Sequence, residues 1–374
     1  MSEVWDVVVV GAGIVGAACA LECASRGLRT AVVEGTGIGS GATAAGMGHI
    51  VVMDDSPAQM ALTHYSQTLW QEIAGRLPAD VEYEQCGTLW VASDEEEMRE
   101  VRRKSDVYGA AGIRTEILDG KMLADAEPHL RMPLAGALRV SSDAVLYPPC
   151  AAGHLFHEAL SVGANLFTQQ ALSAQAGEVR LGDGTQLSAT RIVNASGADA
   201  GALLPDLPIR KRKGHLVITD RYPGFVRHQL VELGYLKSAH AVTADSVAFN
   251  VQPRKTGQVL IGSSRQFGAE DTAVDAQILS AMIERAQWYL PEIGTLSAIR
   301  VWTGFRAATP DKLPLIGPWP GDESLFLATG HEGLGITTSL GTARILTDYM
   351  LGNETMIPIE PYLPARFARS EAHA

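Results

Sequence analysis

Gly11, Gly13 and Gly16 stand in the spacing G-x-G-x-x-G, and an acid, Glu34, follows Gly13 by 21 residues. Each position has a chemical use. Gly11 permits a tight turn, Gly13 lets the backbone approach a pyrophosphate, and Gly16 lets a helix pack closely on a strand. The helix that follows offers free N–H groups to phosphate oxygens, and Glu34 can accept hydrogen bonds from a ribose diol. A second feature lies near the other end of the chain, in RVWTGFRAATPDKLPLIG at 300–317. There Arg306 sits between Phe305 and Ala307 in a stretch that reads as buried. Such a cation is either salt-bridged, with Asp311 the nearest acid, or it awaits an external anion.

The elements around these residues support both readings. Val4 to Val10 reads as a buried parallel strand, Ala17 to Ser25 as a helix ended by Gly27, and Thr30 to Val33 as a second strand. Directly after Glu34 comes GIGSGATAAGMGHI at 37–50, a run of small residues with hydroxyls at Ser40 and Thr43. A run without bulk suits an extended cofactor, and this argues for FAD rather than a nicotinamide. His49 and Met47 in this run either border the isoalloxazine or are core residues. Ile192 to Ala195 is another buried strand that runs into Ser196 and Gly197, so it also reaches the cofactor at its C-terminal end.

Elsewhere the pattern predicts helices at 58–76, 93–109, 150–162, 274–289 and 337–350, and strands at 86–92, within 178–196, and at 324–330. The charged run at 93–109 reads as a solvated helix with a serine or aspartate cap. Between 207 and 300 short β-type pieces recur, among them HLVITD, VAFNVQP and QVLIGSS. The expected fold is α/β: a Rossmann-like FAD-binding domain from 1–80, 143–206 and 301–374, with an inserted β-rich substrate (cap) domain from 81–142 and 207–300.

Bulk composition narrows the function. The chain has 374 residues, 46% hydrophobic and 19% charged, so it can build real cores. Its formal charge of −12 disfavours nucleic acid, and the one compact basic run, RKRKG at 210–214, reads as a solvated loop. The cysteines at 19, 23, 86 and 150 lack metal-site spacing, so no metal is expected and free thiols in a reducing cytoplasm fit. No apolar run approaches a membrane span, and the N-terminus does not read as a signal peptide.

Taken together, VVVVGAGIVGAACA, VVEG, SGATAAGMG, IVNASGADA, GFRAATPDKLPLIG and ATGHEGLGIT resemble the FAD-dependent D-amino-acid oxidase and dehydrogenase superfamily, in its glycine oxidase and sarcosine oxidase branch. The resemblance implies hydride transfer from the carbon bearing an amine to flavin, in a small amino or imino acid. It implies that Arg306 grips the substrate carboxylate. Where glycine oxidase-like chains tend to carry a second arginine, in G-H-x-R-x-G, this chain has Gly333. The GHEGLG form is more similar to the FAD subunits of hydrogen cyanide synthase, opine oxidase and D-hydroxyproline dehydrogenase. D-hydroxyproline dehydrogenation is therefore the specific expectation. A glycine- or sarcosine-type oxidase, an opine dehydrogenase subunit and a non-catalytic FAD subunit are the alternatives. Further subunits, an oligomer, and peripheral attachment to a membrane or quinone acceptor are all compatible with it. A cysteinyl flavin link is excluded because no cysteine follows Cys150.

The expected FAD contacts are Gly11, Gly13, Ile14, Val15, Gly16, Glu34, Ser40, Thr43, Ala44, Ala45, Gly46, Met47, Ala195, Ser196, Gly197, Gly304, Arg306, Gly330, His331, Gly333, Leu334, Gly335 and Ile336. N–H groups near His331, at the start of the last helix, are placed to stabilise negative charge on reduced flavin, or the imidazole anchors the loop. Arg306, His49, Asn250, Phe249 and His331 make up the expected catalytic set. Phe249 and Asn250 share a cap strand and either line the substrate cavity or pack in the core.

Overall fold

The computed structural model describes residues 4–234 and 245–368. The fingerprint strand Trp5–Val10 is the centre of a first sheet. It pairs in parallel with Gln186–Asn194 on one side and Thr30–Val33 on the other. Asp322–Thr329 and Asn165–Phe167 extend the parallel set, and Leu315–Trp319 closes one edge antiparallel. The central strands are buried on both faces, which is why Val7, Val8 and Val9 alternate with nothing polar. Helix Ile14–Ser25 is packed by Pro148–Ser161 and Gly335–Met350, with Ala17, Ala20 and Ala24 allowing close contact.

Among the described residues a second sheet has eight strands, in the order Ala298–Ala308, Arg210–Arg221, Gln258–Phe267, Ser246–Pro253, Gln229–Glu232, Thr88–Ala92, Gly136–Val140, Thr115–Asp119. All neighbours are antiparallel except the parallel pair Gln229–Glu232 and Thr88–Ala92. Helix Ala276–Tyr289 covers one face through Met282, Ala286 and Tyr289 against Phe249, Val251 and Ile261. Part of the opposite face looks toward the first sheet.

This topology corrects two expectations. The boundary expected at 301 falls inside strand Ala298–Ala308, which pairs residue by residue with Arg210–Arg221. The Arg306 segment therefore belongs to the second sheet, held there by an edge-to-edge ladder rather than by its apolar neighbours. RKRKG is likewise not a solvated loop but the start of the 12-residue strand Arg210–Arg221. Three of its four charges are absorbed singly: Lys211 pairs with Asp199, Arg212 with Glu332, and Lys213 with Asp271.

The predicted helices form within a few residues of their expected limits, at Pro57–Ala74, Glu95–Ala110, Pro148–Ser161, Ala276–Tyr289 and Gly335–Met350. Their starts follow from local chemistry. Ser56, Asp94 and Asp275 each accept a backbone N–H from the first turn, and Pro148 occupies a first-turn position where its missing N–H costs nothing. Among the described residues, no helix is long and apolar enough to cross a membrane, and no cluster of His, Cys, Asp and Glu could hold a metal.

Candidate active site

A cavity of about 670 Å³ runs between the two sheets. At one end lie the C-terminal ends of the parallel strands: Val10 and Gly11, Val33 and Glu34, Ala195 and Ser196, Ala328 and Gly330. This is where ligands gather in an open α/β sheet. Gly11 has φ +103°, and a Cβ there would meet the Ala195 carbonyl oxygen at 2.8 Å. A Cβ on Gly16 would lie 1.9 Å from the Gly11 carbonyl oxygen. Gly16 is thus a packing residue, and it does not line the cavity. The Thr43 hydroxyl accepts from Ile14 N at 3.0 Å, tying the small-residue run to the first turn of the helix.

Glu34 is held by the loop itself. One carboxylate oxygen accepts from Ala12 N, and the other from Thr36 N and Gly37 N. Partial burial pushes its carboxyl upward, but these amides win and hold it below the ordinary range, so Glu34 is an anion.

The run 40–49 forms a wall along the cavity. Ser40, Thr43, Ala45, Gly46, Met47 and His49 all line it, whereas Ala44 is exposed on the far side and does not. The smallness of these residues is required by close approach. A Cβ on Gly304 would meet Ala45 Cβ at 2.2 Å, and one on Gly46 would meet Ile336 Cδ1 at 2.7 Å. Burial lowers the His49 imidazole to about 4, assisted by the nearby Arg306 charge and opposed by Gln252. It is therefore neutral, and its buried Nε2 has no partner.

Opposite this wall, Gly330 to Ile336 enter the last helix. Gly330 and Gly333 have positive φ (78° and 91°), which lets the loop turn tightly. His331 Nε2 meets the Thr342 hydroxyl at 3.0 Å, and burial lowers its imidazole to about 4. Its imidazole thus serves as a neutral anchor for the loop. Gly335 and Ile336, in the first turn of the last helix, line the cavity at the positive end of the helix dipole.

Arg306 reaches the cavity by crossing the second sheet. Its guanidinium lies over Gly214, whose Cβ would sit 2.5 Å from Nη1, and Nη1 donates to the Ser264 carbonyl at 3.0 Å. Among the described residues it has no carboxylate partner. The alternative salt bridge to Asp311 does not form, because Asp311 pairs with Arg366 at 2.7 Å. Burial holds the Arg306 guanidinium down to about 10, still charged at neutral pH.

Arg212 stands opposite Arg306 in the ladder, and Arg265 follows Ser264 on the next strand; both line the same cavity. Arg212, Arg265 and Gly214 were not among the expected site residues. A glycine inside a strand was their legible signal, since it marks a close approach by another group. Asn250 also lines the cavity, with a buried, unpartnered Oδ1. Phe249 does not. It is fully buried on the other face, stacked on Tyr289 at 4.3 Å between ring centroids. Successive strand residues point to opposite faces, so these two neighbours cannot both line the site.

The glycine cradle, the helix N-terminus and the orphaned His49 Nε2 suit a long, flat, phosphate-bearing cofactor. Comparison with known proteins agrees. A family model described as "DAO: FAD dependent oxidoreductase" matches residues 6–349. Glycine oxidase of Pseudomonas aeruginosa is 28% identical over 98% of this chain and 99% of its own length. Hydrogen cyanide synthase subunit HcnC of the same species is 26% identical over 98% of this chain and 97% of its own. The crystal structure of glycine oxidase from Geobacillus kaustophilus superposes with a TM-score of 0.87 at 26% identity, covering 98% of this chain and 99% of that one. L-proline dehydrogenase from P. horikoshii shares the fold, with a TM-score of 0.87 at 23% identity over 99% of both chains.

Proposed function

The chain belongs to the FAD dependent oxidoreductase family, and on that premise we propose that it oxidises a small α-amino or α-imino acid in the manner of a glycine or sarcosine oxidase. Bound FAD would supply a hydride acceptor for the carbon that bears the nitrogen, so that the substrate would leave as an imine. The observation that carries this reading is Arg306: a charged guanidinium tied to Ser264, without a carboxylate of its own among the described residues, at the wall of the cavity. A substrate carboxylate completes it through a two-pronged, charge-assisted contact.

The other residues then take roles by position. Thr43 and the loop at Gly11–Gly13 hold the phosphate end, and Glu34 receives the ribose end. Gly46, Met47 and Gly304 leave a slot for the ring system. The N–H groups of Gly335 and Ile336, at the start of the last helix, would stabilise negative charge on the ring system. Asn250 Oδ1 accepts from the substrate nitrogen and orients its Cα–H. His49 and His331 stay neutral and add no positive charge near the amine. The relatives reported above, glycine oxidases and an HcnC subunit, favour this glycine-type reading over D-hydroxyproline dehydrogenation.

Anaerobic mixing of the yellow holoenzyme with D- and L-amino and imino acids tests the proposal. Substrate bleaches the flavin band. If none does so while dithionite does, the reading is wrong. Admitting air afterwards identifies the acceptor: rapid recovery of colour means oxygen, and a flavin that stays bleached calls for a quinone or a partner subunit.

A further inference from the structure

Glu332 lines the cavity next to Arg306, in the loop that leads into the last helix. Its backbone is fixed there. Glu332 N donates to the carbonyl of Ala307, the residue after Arg306, at 3.0 Å. The residue that follows, Gly333, would carry its Cβ 3.1 Å from both Cδ and Nε of Arg306. The stem of Arg306 thus passes against this loop before its guanidinium ends over Gly214. Glu332 also has φ +46°, in the left-handed region where glycine is at ease and a side chain is uncommon. A glycine at 332 would relieve that conformation, so the carboxylate is kept at a conformational cost, as happens at functional sites.

The two oxygens of this carboxylate are in different states. Oε1 accepts from Arg212 Nη1. Among the described residues, Oε2 is buried without a hydrogen-bond partner. A carboxylate oxygen only accepts, and a buried one left unpaired is costly, so what completes it is a donor. The terminal carboxyl torsion is broad, so Oε2 can turn to a ligand while Oε1 stays on Arg212. Arg212 faces Arg306 directly in the strand ladder, where opposite Cβ atoms are ~4.5–5.5 Å apart. This end of the cavity therefore joins a cation without an anion to a carboxylate oxygen without a donor.

We propose that Glu332 receives the substrate nitrogen: Oε2 accepts one of its N–H groups while Arg306 holds the substrate carboxylate, and Arg212 keeps the glutamate in place. This rests on the amino-acid oxidation proposed above. The span fits. The nitrogen and carboxyl carbon of an α-amino acid are ~2.5 Å apart across one carbon, and a charged hydrogen bond of ~2.8 Å at each end lets the molecule bridge ~8 Å. Asn250 Oδ1 accepts a second N–H, and the two acceptors together fix the direction of the Cα–H.

The test is the affinity of the anaerobic holoenzyme for pairs of ligands that differ only at nitrogen: glycine against propionate, sarcosine against butyrate, D- and L-alanine against isobutyrate, and D- and L-proline against cyclopentanecarboxylate. Saturation of the flavin-reduction rate gives the amino acid, and competition with it gives the carbon analogue. For the pair whose amine bleaches the flavin, we expect the nitrogen member to bind about 10-fold or more tightly, the size of one charged hydrogen bond. Glu332→Gln should bring that ratio toward one, and the carbon analogue should bind this variant as well as the unmutated enzyme or better, because a neighbouring anion is gone. A ratio of one in the unmutated enzyme overturns the proposal without any variant. So does a ratio that Glu332→Gln leaves unchanged, whether both members weaken or neither does, since Glu332 then serves only as the partner of Arg212. Either result leaves the oxidation standing. Bleaching by dithionite and by no amino or imino acid removes the oxidation reading and this inference with it.

Discussion

Replacing Arg306 with methionine separates a substrate anchor from a structural cation, because the two predict opposite signs. Methionine keeps much of the length and loses the charge. In the substrate-free enzyme the guanidinium is held down to about 10 by burial alone and, among the described residues, has one neutral acceptor, Ser264 O, and no countercharge. At 1.36 kcal/mol per pH unit this reflects desolvation on the order of 3 kcal/mol. Removing a buried charge that lacks a countercharge is neutral or stabilising, so thermal unfolding of Arg306→Met holoenzyme should occur at the wild-type temperature or slightly above it. With substrate the sign reverses. Losing one member of a buried, hydrogen-bonded charge pair costs about 2–5 kcal/mol, or roughly 30- to 5,000-fold. That loss should fall on KM and kcat/KM in anaerobic flavin reduction, with flavin content retained. A variant that melts several degrees lower and binds substrate normally would refute the reasoning, because Arg306 would then be paired within the fold.

Gly214→Ala tests the same site from the backbone. Its Cβ would stand 2.5 Å from Arg306 Nη1, so the guanidinium must shift; KM should rise at least several-fold with the flavin spectrum intact, and an unchanged KM would mean the guanidinium does not cross there. Gly304→Ala acts on the cofactor, since its Cβ would meet Ala45 Cβ at 2.2 Å. We expect protein purified with substoichiometric FAD, read from the ratio of flavin to protein absorbance. Asp143 tests pH linkage. Burial raises its carboxyl from 3.8 to about 7, against hydrogen bonds from Gln67 and Val52. The folded state then binds the extra proton between those values, so this residue's contribution falls as pH rises from about 4 to 7 and is flat above. Asp143→Asn should therefore gain on wild type in melting temperature between pH 5 and pH 8, and a pH-independent difference would contradict the assignment.

Much of the cofactor half was legible in the sequence because its signals are local. The spacing Gly11, Gly13, Gly16 fixes a turn, the β-branched run before it fixes a buried strand, and Glu34 follows at the end of the next one. The small residues from Ser40 to Met47 announce a surface that must come close to something. Arg306 was legible as an anomaly, a cation among apolar neighbours. What it touches was not. Its acceptor, Ser264, is 42 residues away in the chain, and its neighbours Gly214 and Arg212 reach it through strand register.

The same holds for the corrections. No local pattern told Phe249 from Asn250, since both lie on one buried strand; only the helix over one face, and the cavity on the other, gave each its side. RKRKG looked solvated because its partners Asp199, Glu332 and Asp271 are distant in sequence. The sequence by itself determined the dinucleotide cradle and the existence of an unexplained cation, since turn geometry and burial are read over a few residues. The tertiary structure decided what surrounds that cation, because sheet register brings together three arginines that no spacing in the chain connects.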